Sequence, residues 1–173
     1  SVFTRSGAGK LVGAIAVGAV SALLLAGCAG GGGSTTPSES KGPAEDLTLK
    51  IGSVLPQTGS LAFLGPPEEA GVLLAVNEVN EAKKGLTIDF TPGDSGDADN
   101  KAFETTVPKL QNAGVSSMIG AAASGVTKLF LDSNVAAGII TFSPANTSPD
   151  FTTWDDKGLY WRTAPSDLLQ GEV

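Results

Sequence analysis

Strand-like and helix-like stretches alternate from Leu47 onward at a spacing of roughly 30 residues, the repeat of successive βαβ units. Residues 47–56 read as a buried strand closed by Pro56, and a loop containing Gly59 and Gly65 follows. Pro66, Pro67, Glu68 and Glu69 suit a helix start, with proline early and acids in the first turn. Ala70, Leu73, Leu74, Asn77 and Asn80 then recur at helical spacing up to Lys84, and Gly85 stops the helix. The next strand is 86–90, followed by a polar loop over 93–100. A helix over 101–112 turns Phe103, Val107 and Leu110 inward and carries Pro108 inside it. Strand 115–120, helix 124–135 and strand 138–142 complete the pattern, before a Ser/Pro/Asn/Thr loop to Asp156 and a short strand over 159–162.

This order predicts an α/β fold: a doubly wound parallel sheet covered by helices on both faces. Open sheets of this kind bind ligands beyond the C-terminal ends of their strands. Three loops occupy that edge, 57–65, 121–125 and 143–148, so function is expected there.

The residues ahead of this region are of another kind. Arg5 and Lys10 are the only charges before an apolar run over 11–26, which leads into Leu25-Ala26-Gly27-Cys28. A basic start, an apolar stretch and small residues before a cut site make an export signal, expected over 1–27. The run is 16 residues long, short of the ~20 that span a bilayer as a helix. Cys28 is the only cysteine, so it has no internal disulfide partner. Leu-Ala-Gly-Cys resembles a bacterial lipobox, which implies cleavage before Cys28 and lipid on its sulfur. One acyl chain holds a membrane only marginally and two hold firmly, so a diacylglyceryl group makes a lasting anchor. Residues 28–46, rich in Gly, Ser and Pro, then read as a flexible tether to the globular region 47–173. At the far end, 167–173 read as the first turns of a helix with no stop signal. The sequence is therefore expected to end mid-element, as a fragment of a longer fold.

Composition narrows the function classes. Histidine is absent, so neither a Ser-His-Asp nor a Cys-His nucleophile system can be assembled from this sequence. Zinc loses its usual ligands for the same reason, no metal or cofactor is implied, and no enzymatic role is expected. Without Arg5 and Lys10, nine of the 11 basic residues face 18 acids, a net of −9. No basic stripe is available to neutralise phosphates, which argues against a nucleic-acid partner. Asp94, Asp97 and Asp99 invite a calcium reading, but no register from Asp94 or Asp97 gives both the glycine and the glutamate of an EF-hand loop. A solvated acidic loop is the expectation. Trp154 and Trp161 show no partner pattern, and core packing or a domain contact is expected of them.

Several motifs recur in a fixed order: Lys50-Ile51-Gly52, Thr58-Gly59 and Gly65, then Gly71, Ala75 and Val79-Asn80, then Gly93-Asp94-Ser95. Ile119-Gly120 with Ser124 follows, then Ser143-Pro144-Ala145-Asn146-Thr147-Ser148-Pro149, and finally Arg162-Thr163, Asp167 and Gln170-Gly171. Together they resemble the leucine/isoleucine/valine-binding proteins of ABC transporters, a branch of the type I periplasmic binding proteins. The resemblance runs from Leu47 to the end. It implies two α/β lobes that close on a solute and present it to a membrane permease, with this sequence holding the first part of lobe one. It also implies the strand order 2-1-3-4-5.

Candidate ligand residues follow from the same edge loops. A serine opening a helix, like Ser124, reads by default as an N-cap, and a helix N-terminus is equally an anion site. The resemblance assigns Ser124 and Gly125 to a substrate carboxylate. It matches Ala145 and Thr147 to positions that grip an amino-acid head group, although a Ser/Pro/Asn/Thr cluster also makes an ordinary turn. Leu64 falls where many relatives place an aromatic beside the ligand, with Phe63 one residue away; the pair could equally tuck onto the core. No acid lies in these loops near the proposed site, so the ammonium partner is expected from the second lobe. The leading expectation is a lipid-anchored receptor on the outer face of the cell membrane, binding an amino acid for an importer. A sensor of amino acids or amides on the same fold is the alternative, and the lipobox favours the importer.

Overall fold

A computed structural model describes residues 46–171. The expected signal over 1–27, Cys28 and most of the tether lie outside the described residues. Five strands form one parallel sheet: β1 (Leu47–Val54), β2 (Leu86–Thr91), β3 (Ser117–Gly120), β4 (Ile140–Ser143) and β5 (Tyr160–Arg162), in the order β2-β1-β3-β4-β5. The helices between them are α1 (Gly65–Ala82), α2 (Phe103–Asn112) and α3 (Ser124–Ala137), and α4 (Asp167–Gln170) follows β5. Both the parallel alternation and the strand order match the expectation. The reversal of winding beside β1 puts the ends of β1 and β3 next to each other, with Val54 level with Gly120. That is the switch point where open α/β sheets gather ligands.

The strands' alternation divides the sheet into two unlike faces. On one, Val54 and Met118 pack with Phe103, Val107 and Leu110 of α2 and with Val126 and Phe130 of α3, the main core. A second cluster joins Leu131 and Val135 of α3 to Phe151 and Tyr160. The inward stripe read for α2 is therefore correct. Pro108 lies inside α2, where its missing N–H leaves Glu104 O without the helical i→i−4 bond.

The other face is covered in part. α1 packs over β2, anchored by Asn80, whose amide closes two bonds with the backbone of Ile88, at 3.1 and 2.7 Å. Across the other strands Ile119, Phe142 and Trp161 stand level with one another, and Phe142 and Trp161 are 38% and 59% exposed. Helices therefore lie on both faces of the sheet, as expected, but among the described residues this row keeps exposed side chains. On α1 itself, Leu73 and Leu74 are exposed while Val76 is buried, so helical spacing identified the helix but not its inward stripe.

Several element boundaries differ from expectation, three of the differences for evident local reasons. β1 ends at Val54, and Leu55 continues only as a single bridge to Asp94. α2 begins at Phe103, not 101, because Asn100 Oδ1 accepts from Ala102 N at 3.2 Å and Lys101 is left-handed, with φ +51°. Residues Pro149–Thr152, read as loop, form a 3₁₀ turn opened by Ser148, whose hydroxyl accepts from Asp150 N.

Candidate functional site

Two of the three edge loops are built into one unit by buried polar groups. Ser143, at the end of β4, donates through Oγ to Ala121 O at 2.7 Å and accepts from Asn146 N at 3.0 Å. Asn146 is fully buried; its Nδ2 donates to Ala121 O and Ala122 O, both at 2.9 Å, and its Oδ1 accepts from the Tyr160 hydroxyl at 3.0 Å. Burial pushes the Tyr160 phenol above its ordinary range, which keeps it a donor. Thr127 Oγ1 accepts from Ala121 N at 3.1 Å. Gly120 precedes this junction with φ +133°, and a Cβ there would lie 2.0 Å from Val54 O, so the approach of β3 to β1 requires glycine.

The 144–148 segment is held on its far side as well. Arg162 donates from Nη1 to Ser148 O at 2.7 Å and from Nη2 to Thr152 Oγ1 at 3.1 Å. Asp167 N donates to Thr147 O at 2.9 Å, and the Thr163 hydroxyl to Pro144 O at 3.0 Å. The loop is thus fixed before any ligand arrives, which lowers the ordering cost of binding.

Within this frame Ser124 is the first residue of α3, and Ala123 occupies the cap position without a side-chain bond. The default reading of Ser124 as an N-cap is therefore corrected. Its Oγ reaches across to the neighbouring loop and accepts from Thr147 N and Ser148 N, each at 3.2 Å. The helix's own bonding starts later, with Val126 N and Thr127 N donating to Ala123 O. The amides of Ser124 and Gly125 precede those bonds, at the positive end of a 14-residue helix with no acid in its first turn. The structure so brings Ser124, Gly125, Thr147 and the adjoining Ala145 together. Ser124, Ala145 and Thr147 are half-buried and Gly125 is exposed. A helix start of this kind, with no acid in its first turn, is chemically suited to an anion.

Phe63 and Leu64 stand on the first loop. Phe63 is 71% exposed, and Leu64 is the residue before α1, half-buried. That loop is bound to the 93–100 loop through two carboxylates. Asp94 Oδ1 accepts from Gln57 N (2.9 Å), Thr58 N (3.2 Å) and Gly96 N (2.7 Å), and its Oδ2 from the Thr58 hydroxyl (2.6 Å). Asp97 Oδ2 accepts from Ser60 N (2.7 Å), and its Oδ1 from Asp99 N (2.9 Å) and Asn100 N (3.0 Å). Desolvation raises the Asp94 carboxyl, and the bonds from Thr58, Gly96 and Gln57 outweigh it, leaving the group below its ordinary value. The amides of Asn100, Ser60 and Asp99 bring Asp97 down to about 2. The expectation of a merely solvated acidic loop is corrected for these two residues.

Sequence reasoning missed the frame residues Asn146, Ser143, Thr127 and Tyr160. Asn146 sits inside the Ser-Pro-Ala-Asn-Thr motif but reads there as one more loop-former, since nothing in the sequence announces burial. Glu68 and Glu69 were read only as helix-start acids, yet each keeps one buried oxygen without a hydrogen-bond partner among the described residues. Burial raises the Glu68 carboxyl. Of the tryptophans, Trp154 packs on Phe151 with ring centroids 5.8 Å apart and donates to Asp132, while Trp161 stays exposed.

A family model described as periplasmic binding protein matches residues 48–171. The leucine-, isoleucine-, valine-, threonine- and alanine-binding protein of Pseudomonas aeruginosa is 30% identical over 128 residues, covering 73% of this chain and 34% of its own length. Leu/Ile/Val-binding protein homolog 1 of Brucella abortus is 34% identical over 132 residues, covering 74% of this chain and 34% of its own. The chain therefore spans about a third of the length of the curated relatives it matches. Among solved structures, a branched-chain amino acid transporter substrate-binding protein from Streptococcus pneumoniae, in complex with isoleucine, superimposes with a TM-score of 0.61 at 30% identity. It covers 70% of this chain and 35% of that one. An ABC transporter substrate-binding protein from Desulfitobacterium hafniense, in complex with Leu, gives 0.57 at 28% identity over 70% and 35%.

Proposed function

We propose that this chain, which belongs to the type I periplasmic binding proteins in their leucine/isoleucine/valine-binding branch, forms the first-lobe part of an amino-acid receptor for an ABC importer. The observation that carries this reading is the pair of bonds from Thr147 N and Ser148 N to Ser124 Oγ, beside the free end of α3. A substrate carboxylate entering there takes over as acceptor from the serine hydroxyl. Ser124 then turns to donate its own proton to the carboxylate. Neutral bonds become charge-assisted ones, about twice as strong, and the helix dipole adds to them.

The backbone of Ala145 supplies an acceptor for the ammonium group, and Leu64 with Phe63 an apolar wall for the side chain. The acid that balances the ammonium comes from a second lobe, whose closure over the solute makes the form that a permease recognises. A branched-chain solute is supported by the two similar proteins solved in complex with isoleucine and with Leu. The role is binding rather than catalysis. Attachment to the outer face of the cell membrane rests on Cys28 alone: the export pattern and Leu25-Ala26-Gly27-Cys28 support cleavage, lipidation and a Gly/Ser tether to the lobe.

Two measurements test this reading. Calorimetric titration of the full-length protein with a panel of amino acids, amides and aromatic acids should give saturable binding to leucine, isoleucine or valine. Binding only of solutes without an α-amino group would overturn the assignment. Palmitate labelling in a bacterial host should mark the wild type and not Cys28→Ser; equal labelling of both would remove the anchor.

A further inference from the structure

We propose that Asp94 and Asp97 are positioning residues for the solute site, holding the 57–64 loop in the shape that presents Phe63 and Leu64; this rests on the binding reading above. The β1–β2 ladder extends to the base of this loop, with Leu55 N donating to Gly93 O and Ser95 N to Leu55 O. Beyond it, residues 57–60 are exposed and carry no regular structure. Three of their four amides, those of Gln57, Thr58 and Ser60, donate to the two carboxylates of the facing loop. The bonds within the loop are two short turns, Ala62 N to Gly59 O at 3.2 Å and Leu64 N to Leu61 O at 2.9 Å.

The fit is close as well as polar. Gly59 has φ +90°, and a Cβ there would lie 2.5 Å from Asp97 Oδ2, so loop and carboxylate approach to a distance only glycine permits. Asn100 ties the second loop to the first, donating from Nδ2 to Thr58 Oγ1 at 2.9 Å and accepting from Asp97 N at 3.1 Å. Successive amides around a carboxylate make an anion nest with the anion supplied by the protein itself. Neither aspartate needs to touch the solute. Each fixes the path of the chain that ends at Leu64, immediately before α1. Without them the loop would have to be ordered by the ligand, and affinity would fall by that cost.

The test uses the full-length protein with L-leucine as probe, comparing Asp94→Ala, Asp97→Ala and Asp94→Asn. Amide exchange of Gln57, Thr58 and Ser60 should quicken by about tenfold or more in the alanine variants, and the leucine Kd should rise by a similar factor. Exchange at Met118 and Leu131 should stay at its wild-type rate, which a general loss of stability would not allow. Asp94→Asn keeps an oxygen for the Gln57 and Thr58 amides and should recover part of the affinity. Faster exchange in the loop with unchanged leucine affinity would overturn the positioning role, and so would equal quickening in the core. A wild type that binds no leucine would instead defeat the amino-acid reading; exchange in the 57–60 amides would then decide alone whether the carboxylates hold the loop.

Discussion

Ser124 Oγ lies 3.2 Å from Thr147 N and accepts its hydrogen, joining the start of α3 to the loop after β4. This single hydroxyl stands where the binding reading puts a carboxylate oxygen. On that reading the site is formed before its ligand, and its variants separate binding from folding.

Gly125→Ala offers the cleanest separation. A Cβ at this position meets nothing within 4 Å, and the residue lies in the first turn of α3. Alanine in a helix is favoured over glycine by up to ~1 kcal/mol, so the variant should unfold at the same or higher denaturant. On the binding reading the added methyl crowds the start of α3, so leucine affinity should fall. Chemical denaturation and calorimetry on one preparation check both.

Asn146→Ala should do the opposite. It removes the partners of Ala122 O and the Tyr160 hydroxyl in a buried place and leaves Ala121 O to Ser143 Oγ. Each such loss costs ~1–3 kcal/mol, so the variant should be among the most destabilising single changes in the lobe. Urea unfolding against the wild type measures it, with Asn112→Ala on the exposed end of α2 as control.

Acid should loosen the first loop before the core. Asp97 has a folded value of about 2 against 3.8 for the free group. A depressed carboxyl contributes its stabilisation in full above the unfolded value and loses it as pH falls through the folded one. Asp94 is shifted in the same direction. Melting temperature recorded from pH 5 down to about pH 2 should fall less steeply in Asp97→Asn than in the wild type.

The level row of Ile119, Phe142 and Trp161 should make the isolated lobe associate. Phe142 and Trp161 are 38% and 59% exposed on a sheet face that α1 does not cover. Exposed apolar patches of this kind mark interaction surfaces or drive aggregation. Residues 46–171 expressed alone should elute above monomer size, and Phe142→Lys with Trp161→Lys should shift them back; scattering during chromatography reads the mass.

What the sequence made legible follows from which signals are local. Alternation of strand and helix is written in short-range periodicity, so every main element from β1 to β5 was readable, and the resemblance supplied their order. The α2 stripe of Phe103, Val107 and Leu110 was readable because polar residues separate it. Leu73 and Leu74 misled because α1 is apolar on more than one side, and only packing decides which side is buried. The edge loops were legible from the fold class, and the resemblance singled out Ser124 and Thr147, which the structure joins by a hydrogen bond. Asn146 and the Asp94–Thr58 bond were not, because the side-chain partners lie 14 or more residues away and no local pattern encodes such a meeting.

The central claim is that Ser124, at the start of α3, and the Thr147 loop hold the carboxylate of an amino acid. Titrating L-leucine into the full-length protein, wild type beside Ser124→Ala, measures it most directly. The account predicts saturable binding by the wild type and a Kd at least about tenfold weaker in the variant, the loss of one charge-assisted hydrogen bond. Equal affinity in a folded Ser124→Ala would contradict it.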